Sequence, residues 1–202
     1  MIKDNFASRA ADWDNPSKIE MTDQFVSALL KEITPKSNWK ALEIGAGTGL
    51  VGLQLLPKVQ SVVFEDTSEA MLNVLKQKLT GNENTEIVHG EVFDYQHSDI
   101  DFVFSCMAFH HIPDIDATLN HLQHITRPGA IVVVGDLRTE DGSFHSFEPI
   151  PHKGFDTTDL SARFTKAGFQ LISSNTYNIL KRERIPGTLT SYEQFMLIAK
   201  RV

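Results

Sequence analysis

The sequence predicts one α/β domain built on a doubly wound, mostly parallel sheet of seven strands, whose last strand is antiparallel. From about residue 40, short apolar runs alternate with longer amphipathic ones, as in a chain of β-α-β units. The length of 202 residues suits one domain with a substantial core. A glycine-rich turn at 45–49 follows the first apolar run, where the first strand of such a sheet meets its ligand.

Seven short segments are predicted as strands. Most of them are rich in Val, Ile or Phe, as strands buried on both faces should be. The last two are expected to form a hairpin-like pair that closes the chain. The predicted strands are 41–44, 61–65, 86–89, 102–105, 131–135, 169–174 and 193–200.

Helices are predicted between these strands, each with a hydroxyl or acidic residue at its start that can cap free backbone N–H groups. The second helix ends where Pro followed by Gly favours a tight turn, and the third ends at a glycine cap. The helices are 69 to about 79 after Ser68, Asp114 to the turn at Arg127-Pro128-Gly129, and Asp156 with Asp159 to Gly168.

Composition limits the partners to expect. The formal net charge of −7 argues against a nucleic-acid-binding surface, and the Lys-Arg-Glu-Arg cluster at 181–184 is interpreted as a solvated loop. The single cysteine, Cys106, forms no disulfide within the chain, and no segment approaches the roughly 20 apolar residues of a membrane span. Residues 1–6 lack the apolar stretch of a signal peptide. We therefore expect a cytoplasmic protein that binds neither nucleic acid nor a membrane.

The residues around the glycine-rich turn narrow the class of ligand. A dinucleotide fingerprint has its third glycine where this chain has Leu50, and a phosphate loop ends in a Gly-Lys-Ser/Thr that is missing here. The chain instead has Glu43 two places before a Gly-x-Gly-x-Gly turn. A carboxylate at that point suits a cationic ligand better than a pyrophosphate. S-adenosylmethionine, whose sulfonium and ammonium groups are both positive, is the first candidate.

Acidic residues also follow the second and third predicted strands. Asp66 lies 21 residues after Gly45, close to the separation at which an acid reaches a ribose in nucleotide-binding sheets. Its alternative role is to cap the next helix, and Glu65 replaces it if the strand register differs by one residue. Glu91 could accept a hydrogen bond from the exocyclic amine of adenine, with Val92 as an apolar wall. The alternative for Glu91 is a solvated loop carboxylate.

The fourth predicted strand leads into two adjacent histidines, His110 and His111, which are expected at the floor of a reaction centre. Histidine titrates near neutral pH and can act as a general base. The alternative interpretation is that both histidines fix the loop. Cys106 lacks a Cys-His-Asn arrangement and is not predicted to be a nucleophile. His121 and His124 lie three apart on a predicted helix without further ligands, and no metal site is predicted.

Taken together, these segments resemble the class I S-adenosylmethionine-dependent methyltransferases over nearly the whole chain. Glu91 stands where that family commonly has Asp, which leaves the position of its adenine contact open, and Ala130 replaces a glycine in a turn. The motifs that carry the likeness are Glu-Ile-Gly-Ala-Gly-Thr-Gly at 43–49, Asp-Thr-Ser-Glu-Ala-Met-Leu at 66–72, Gly-Glu at 90–91, Phe-His-His-Ile-Pro-Asp at 109–114, Thr-Arg-Pro-Gly-Ala at 126–130 and Arg-Ala-Ala-Asp-Trp-Asp at 9–14.

The resemblance implies a Rossmann-like methyltransferase fold and a cofactor pocket along these motifs. The glycine turn would hold the methionine end of the cofactor, Asp66 the ribose, and Glu91 with Val92 the adenine, while Met71 would line the adenine pocket. The implied cofactor-binding residues are Glu43, Gly45, Ala46, Gly47, Gly49, Asp66, Thr67, Met71, Glu91, Val92 and Cys106. The candidate catalytic residues are His110 and His111.

We therefore expect a single methyltransferase domain over 1–202 that transfers a methyl group from S-adenosylmethionine to a small molecule by in-line displacement and releases S-adenosylhomocysteine. Residues 1–36 would form a helical cover over the cofactor, because 9–14 resembles the covering segment of small bacterial members. The segment 137–154 either shapes an acceptor pocket or is an ordinary connection. Its histidines, His145 and His152, are the next candidates for a base.

Three alternatives stay open at this point. A protein that binds the cofactor without methylating anything would carry the same pocket residues. An NAD(P)-dependent oxidoreductase on a similar sheet is less favoured, because Leu50 replaces its third glycine. A protein or RNA methyltransferase is the third, and the acidic charge disfavours RNA. The sequence gives neither the acceptor nor the oligomeric state.

Overall fold

The computed structural model describes residue 4 and residues 6–202. Residues 1–3 and 5 of the predicted N-terminal cover lie outside this part of the chain. The strands are β1 (Lys40–Ile44), β2 (Ser61–Asp66), β3 (Thr85–His89), β4 (Ile100–Cys106), β5 (Thr126–Leu137), β6 (Phe169–Ile185) and β7 (Thr188–Arg201). The α-helices are α1 (Pro16–Glu32), α2 (Gly52–Leu55), α3 (Glu69–Lys78), α4 (Ile115–Ile125) and α5 (Thr157–Lys166).

The seven strands form one sheet in the order β3-β2-β1-β4-β5-β7-β6. Strands β1 to β5 run parallel to one another, and β7 is antiparallel to both β5 and β6. The predicted doubly wound sheet with an antiparallel last strand is confirmed. The chain leaves β1 towards β2 and β3 and then returns to β4 on the other side, so the strand order reverses between β1 and β4. Ligands bind at such a switch point, beyond the carboxyl ends of the strands.

Alternate side chains of each inner strand point to opposite faces of the sheet, so each strand contributes to two apolar layers. On β1, Leu42 packs with α4 and α5, whereas Ala41 packs with α1 and α3. Burial of these clusters on both faces explains why the inner strands are almost wholly apolar.

Among the described residues, no helix is long and apolar enough to cross a membrane.

The predicted helix starts are found where expected. The side chain of Ser68 accepts a backbone hydrogen bond at the start of α3, and Asp114 and Asp156 do the same for α4 and α5. These caps satisfy N–H groups that a helix leaves free at its first turn. Asn15 caps α1 in the same way, followed by a proline at the first helical position.

The end of the chain differs from the prediction. Strands β6 and β7 are much longer than 169–174 and 193–200, and they form a hairpin whose pairs reach Ile185 and Thr188. The cluster at 181–184 therefore belongs to a paired strand, and its interpretation as a solvated loop was wrong. The reason is physical: backbone pairing holds this part of the hairpin, and the side chains whose burial is described there are mainly polar and exposed, so it lacks the apolar signal of a buried strand.

The predicted turn at Arg127-Pro128-Gly129 lies inside the span of β5. The pairing of β4 with β5 passes from Ile100 opposite Thr126 to Phe102 opposite Ile131, so the residues between form a bulge in β5. Gly129 has a φ of 84°, which glycine adopts without strain.

Close packing of α1 on the sheet depends on a glycine in β5. A Cβ added at Gly135 would overlap the ring of Phe25 on α1. We expect Gly135→Ala to lower the free energy of unfolding by about 1–3 kcal/mol, because the core there has no space for a methyl group. Urea denaturation measures this. Combining it with Phe25→Leu should restore part of the loss; two strictly additive losses would contradict the account.

Candidate functional site

The glycine turn after β1 has a backbone that only glycine adopts easily. Gly45, Gly47 and Gly49 have φ values of 68°, 55° and 82°. A Cβ at Gly45 would overlap the side chain of Ala108, which follows β4. The turn is closed by hydrogen bonds from Ala46 N to the carbonyl oxygen of Glu65 and from Gly49 N to that of Ala46, both 2.8 Å. The turn is thus fixed against β2 and β4 at the switch point.

Two buried glutamates accept hydrogen bonds from the glycine turn and from the start of α2. Oε2 of Glu43 accepts from the N–H of Gly52 at 3.1 Å, and Oε2 of Glu65 accepts from that of Gly45 at 3.3 Å. Both side chains are 3% exposed. Burial raises the pKa of both carboxyls well above the usual range, and the negative charge of Asp66 adds to the shift. The direct contact between Glu43 and a cationic ligand stays a prediction.

Asp66 connects the turn to the start of α3. Its Oδ2 accepts from the N–H of Gly47 at 2.6 Å and its Oδ1 from that of Ser68 at 2.8 Å. Burial raises its pKa, and these two hydrogen bonds oppose the shift. Of the two roles considered for Asp66, the structure shows a contact at the helix start and also brings the carboxylate to the glycine turn. The ribose contact stays a prediction.

The open side of the turn faces the N-terminal segment. A Cβ built on Gly47 would have Nε1 of Trp13 as its nearest neighbour, at 3.9 Å. Phe6 packs edge-on against both Trp13 and His111, with ring centroids 5.8 Å and 5.4 Å apart. Asp14 accepts a hydrogen bond from Thr48 in the turn. The N-terminal segment therefore reaches from the glycine turn to the histidines after β4.

Of the residues implied for the adenine end, Glu91 and Val92 follow β3, and Met71 lies in α3, which follows the neighbouring strand β2. Val92 and Met71 are buried at 3% and 2% exposure, whereas Thr67 and Glu91 are exposed. The N–H of Glu91 donates to Asp94 at 2.9 Å, which fixes the start of a short 3₁₀ helix. The two apolar side chains are thus buried and the two polar ones exposed, and the adenine contact stays a prediction.

The histidines after β4 are held by an aspartate that the sequence did not reveal. Asp136, at the end of β5, is fully buried. Its Oδ1 lies 2.7 Å from Nδ1 of His110, and its Oδ2 accepts from the backbone N–H of His110 at 3.0 Å. Since Nδ1 donates to the carboxylate, the neutral imidazole has its lone pair on Nε2. The sequence did contain a signal for Asp136, because this acidic residue directly follows a predicted strand.

A third histidine approaches from the segment 137–154. Nε2 of His145 lies 3.2 Å from Nε2 of His110, and the ring centroid of His111 is 4.2 Å from that of His110. Burial, and then the charges of the two neighbouring histidines, lower the pKa of His111 to about 3. His111 is therefore neutral at physiological pH. The structure thus brings together both predicted catalytic histidines and His145, one of the two further candidates for a base.

The segment 137–154 lies against the loop that carries these histidines. The hydroxyl groups of Ser143 and Tyr192 are 2.7 Å apart, and Nε2 of His152 is 3.0 Å from the carbonyl oxygen of Ile112. The backbone N–H of His152 donates to the carbonyl oxygen of His110 at 3.2 Å. His152, the other further candidate for a base, thus anchors the segment to the loop after β4. Whether the segment shapes an acceptor pocket stays a prediction.

The remaining candidates either lie away from the three histidines or have a reactive form that is disfavoured. Burial raises the pKa of the Cys106 thiol, as do the charges of Asp136 and Glu43, so the thiolate needed for nucleophilic attack is disfavoured. Nε2 of His121 lies 2.9 Å from the carbonyl oxygen of Tyr95, and its neighbour three residues on, at 124, is exposed.

Comparisons with known proteins identify similar sequences among methyltransferases. A family model described as a methyltransferase domain matches residues 42–132. A demethylmenaquinone methyltransferase of Staphylococcus saprophyticus is 29% identical over 140 residues, which are 65% of this chain and 60% of that protein. The curated relatives are matched over 46–60% of their own length.

Two solved structures share the fold. A SAM-dependent methyltransferase of Aquifex aeolicus has a TM-score of 0.71 at 22% identity, covering 97% of this chain and 98% of that one. Phosphoethanolamine N-methyltransferase 2 of Haemonchus contortus, in complex with S-adenosyl-L-methionine, has a TM-score of 0.75 at 17% identity, covering 100% of this chain and 60% of that one.

The buried pair of Asp136 and His110 should stabilise the fold as well as orient the ring. We expect Asp136→Asn to lower the free energy of unfolding by about 1–3 kcal/mol, because buried N–H groups lose a charged acceptor. Chemical denaturation measures the change. The control is Asp116→Asn, whose carboxylate is exposed and pairs with Arg163 at 3.4 Å; its effect should stay below about 0.5 kcal/mol. Equal losses in the two variants would contradict the assignment.

Proposed function

We propose that this chain, a member of the class I S-adenosylmethionine-dependent methyltransferase family, binds S-adenosylmethionine at the glycine turn and methylates a small molecule beside the histidines after β4. Family and fold, which the motifs predicted, are confirmed by the domain match and by the shared sheet. The activity of the whole protein is our proposal. The observation that carries it is the glycine turn at the switch point, enclosed by buried carboxylates and covered by Trp13.

The residues present fit the cofactor. The turn leaves space above Gly47 that a side chain would fill, and a positive charge there would offset the cost of burying three ionised acids nearby. Both oxygens of Asp66 already accept a backbone N–H, yet a carboxylate has further lone pairs for ribose hydroxyls. We assign the methionine end to the turn, the ribose to Asp66, and the adenine to Glu91 with Val92. When bound, S-adenosylmethionine would supply an electrophilic methyl group on a sulfonium.

The protein's part in the reaction is mainly to position the acceptor and to exclude water. In-line displacement gains much of its rate from holding the reacting groups in line in a closed site. The segment 137–154 and the N-terminal segment approach the two sides of such a site. The similarity to a demethylmenaquinone methyltransferase of Staphylococcus supports a small-molecule acceptor. A cytoplasmic location belongs to the same proposal.

An acceptor that must lose a proton would find imidazoles beside it. Of the two predicted bases, His110 is the better placed, because Asp136 holds its Nδ1–H and leaves the lone pair on Nε2. That nitrogen lies 3.2 Å from Nε2 of His145, so an acceptor would take the place of this contact. His111, whose pKa is about 3, is a weak base and more suited to shape the wall.

A methyl-transfer assay tests the proposal. The protein is incubated with S-adenosylmethionine and a panel of quinols, phenols, thiols and amines, and S-adenosylhomocysteine is measured by mass spectrometry. We expect acceptor-dependent S-adenosylhomocysteine. Tight binding of the cofactor with no turnover across the panel would favour a non-catalytic binding protein, and absence of binding would overturn the proposal.

The ribose contact is tested by Asp66→Ala. We expect cofactor affinity to fall about 10–150-fold, because hydrogen bonds to a charged group contribute roughly 1.5–3 kcal/mol. Calorimetric titration with S-adenosylhomocysteine measures it. Asp116→Ala, an exposed acid on α4, is the control and should bind as the unaltered protein does. Unchanged affinity in Asp66→Ala would mean that the ribose lies elsewhere.

The covering role of the N-terminal segment is tested by Trp13→Ala. We expect the dissociation rate of the cofactor to rise several-fold, because the indole is the nearest group above the turn. Stopped-flow displacement measures the rate, and Ile19→Ala on the outer face of α1 is the matched control. If the two variants release the cofactor at the same rate, the segment is not a cover.

A further inference from the structure

Three imidazoles converge from two separate parts of the chain. His110 and His111 follow β4, and His145 comes from the segment after β5. One ring nitrogen from each residue lies within 4.8 Å of the other two. His110 is buried, and the other two are half-buried. Three imidazole nitrogens at one edge of a sheet form the type of ligand set that binds transition metals.

The spacing of the donors suits a tetrahedral ion. Zinc–nitrogen bonds of about 2.0–2.1 Å place two ligand nitrogens about 3.3–3.4 Å apart. Nε2 of His110 and Nε2 of His145 are 3.2 Å apart. An ion therefore fits between these two with little movement, and rotation of the His111 ring within the 4.8 Å cluster completes the set.

Asp136 strengthens the assignment. Metal-binding histidines usually donate their second N–H to a carboxylate or carbonyl, which fixes the ring and raises its basicity. His110 does so, at 2.7 Å to the buried carboxylate of Asp136. The segment carrying His145 is anchored by the contacts of Ser143 with Tyr192 and of His152 with Ile112. The cluster is thus held in place by its surroundings.

We propose that His110, His111 and His145 bind one divalent transition-metal ion of the zinc class. Imidazole ligands favour such ions over Mg²⁺ and Ca²⁺, which prefer oxygen. Three protein ligands leave a fourth position open, the arrangement of catalytic rather than structural zinc sites.

The catalytic consequence rests on the proposed function, but the binding itself does not. In the described structure, His145 is the partner of Nε2 of His110. The ion takes that position and occupies the lone pair of His110. An acceptor hydroxyl or thiol that occupies the fourth position then loses its proton to solvent, because coordination lowers its pKa. Coordination replaces proton transfer to His110 as the means of activation.

Metal titration of the untagged full-length chain tests the proposal. The protein is treated with a chelator, desalted and titrated with Zn²⁺ by competition against a chromophoric chelator, and with Co²⁺ by absorption spectroscopy. We expect one ion per chain, a Zn²⁺ dissociation constant of micromolar or below, and a Co²⁺ spectrum typical of four or five ligands. Failure of the unaltered protein to bind either ion overturns the proposal.

Variants distinguish this cluster from other histidines. His145→Ala should weaken Zn²⁺ binding at least 10-fold, and Asp136→Asn, which keeps all three ligands, should weaken it about 10–100-fold. His124→Ala on the exposed face of α4 is the control and should bind as the unaltered protein does. Equal affinity in His145→Ala and His124→Ala overturns the proposal.

The same variants separate this inference from the proposed function. Calorimetry with S-adenosylhomocysteine on His145→Ala should give unchanged cofactor affinity, which also shows that the variant is folded. Intact metal binding without any cofactor binding would remove the proposed function and leave the metal site standing.

Discussion

The site depends on buried carboxylates that hold backbone N–H groups at the ends of adjacent strands. Glu43, Glu65 and Asp66 each accept from the glycine turn or from the helix that follows it. A buried carboxylate is costly unless it is well paired, and the backbone N–H groups supply this pairing. Burial raises the pKa of both glutamates, and the negative charge of Asp66 adds to the shift of each. A cationic ligand would relieve that repulsion, so the interaction that shapes the turn also selects the ligand.

The same principle operates on the opposite side of the switch point. Asp136 at the end of β5 holds the backbone and the imidazole of His110, as Asp66 at the end of β2 holds the turn. Parallel strands end on one edge, so these two carboxylates lie at the same edge of the sheet. Asp66 fixes the glycine turn there, and Asp136 fixes the imidazole of His110.

Much of the fold could be predicted because its signals are local. Apolar runs, the caps at Ser68 and Asp114 and the glycine spacing need no knowledge of distant contacts. The pairing of the last two strands was predicted, but the polar extension of the hairpin beyond 169–174 and 193–200 was not, because backbone pairing rather than burial holds it. In the site, the sequence identified Asp66 and His110, but the partnership of His110 with Asp136 joins residues 26 positions apart. Only the parallel register of β4 and β5 brings them together.

We expect the carboxylates and the glycine turn to select an adenosine that carries a cationic amino-acid end over a dinucleotide. Calorimetric titration of the unaltered protein with S-adenosylmethionine, S-adenosylhomocysteine, NAD and NADP tests it most directly. The account predicts one site per chain for both adenosyl compounds and no heat from either dinucleotide. Preferential binding of NAD or NADP would contradict it.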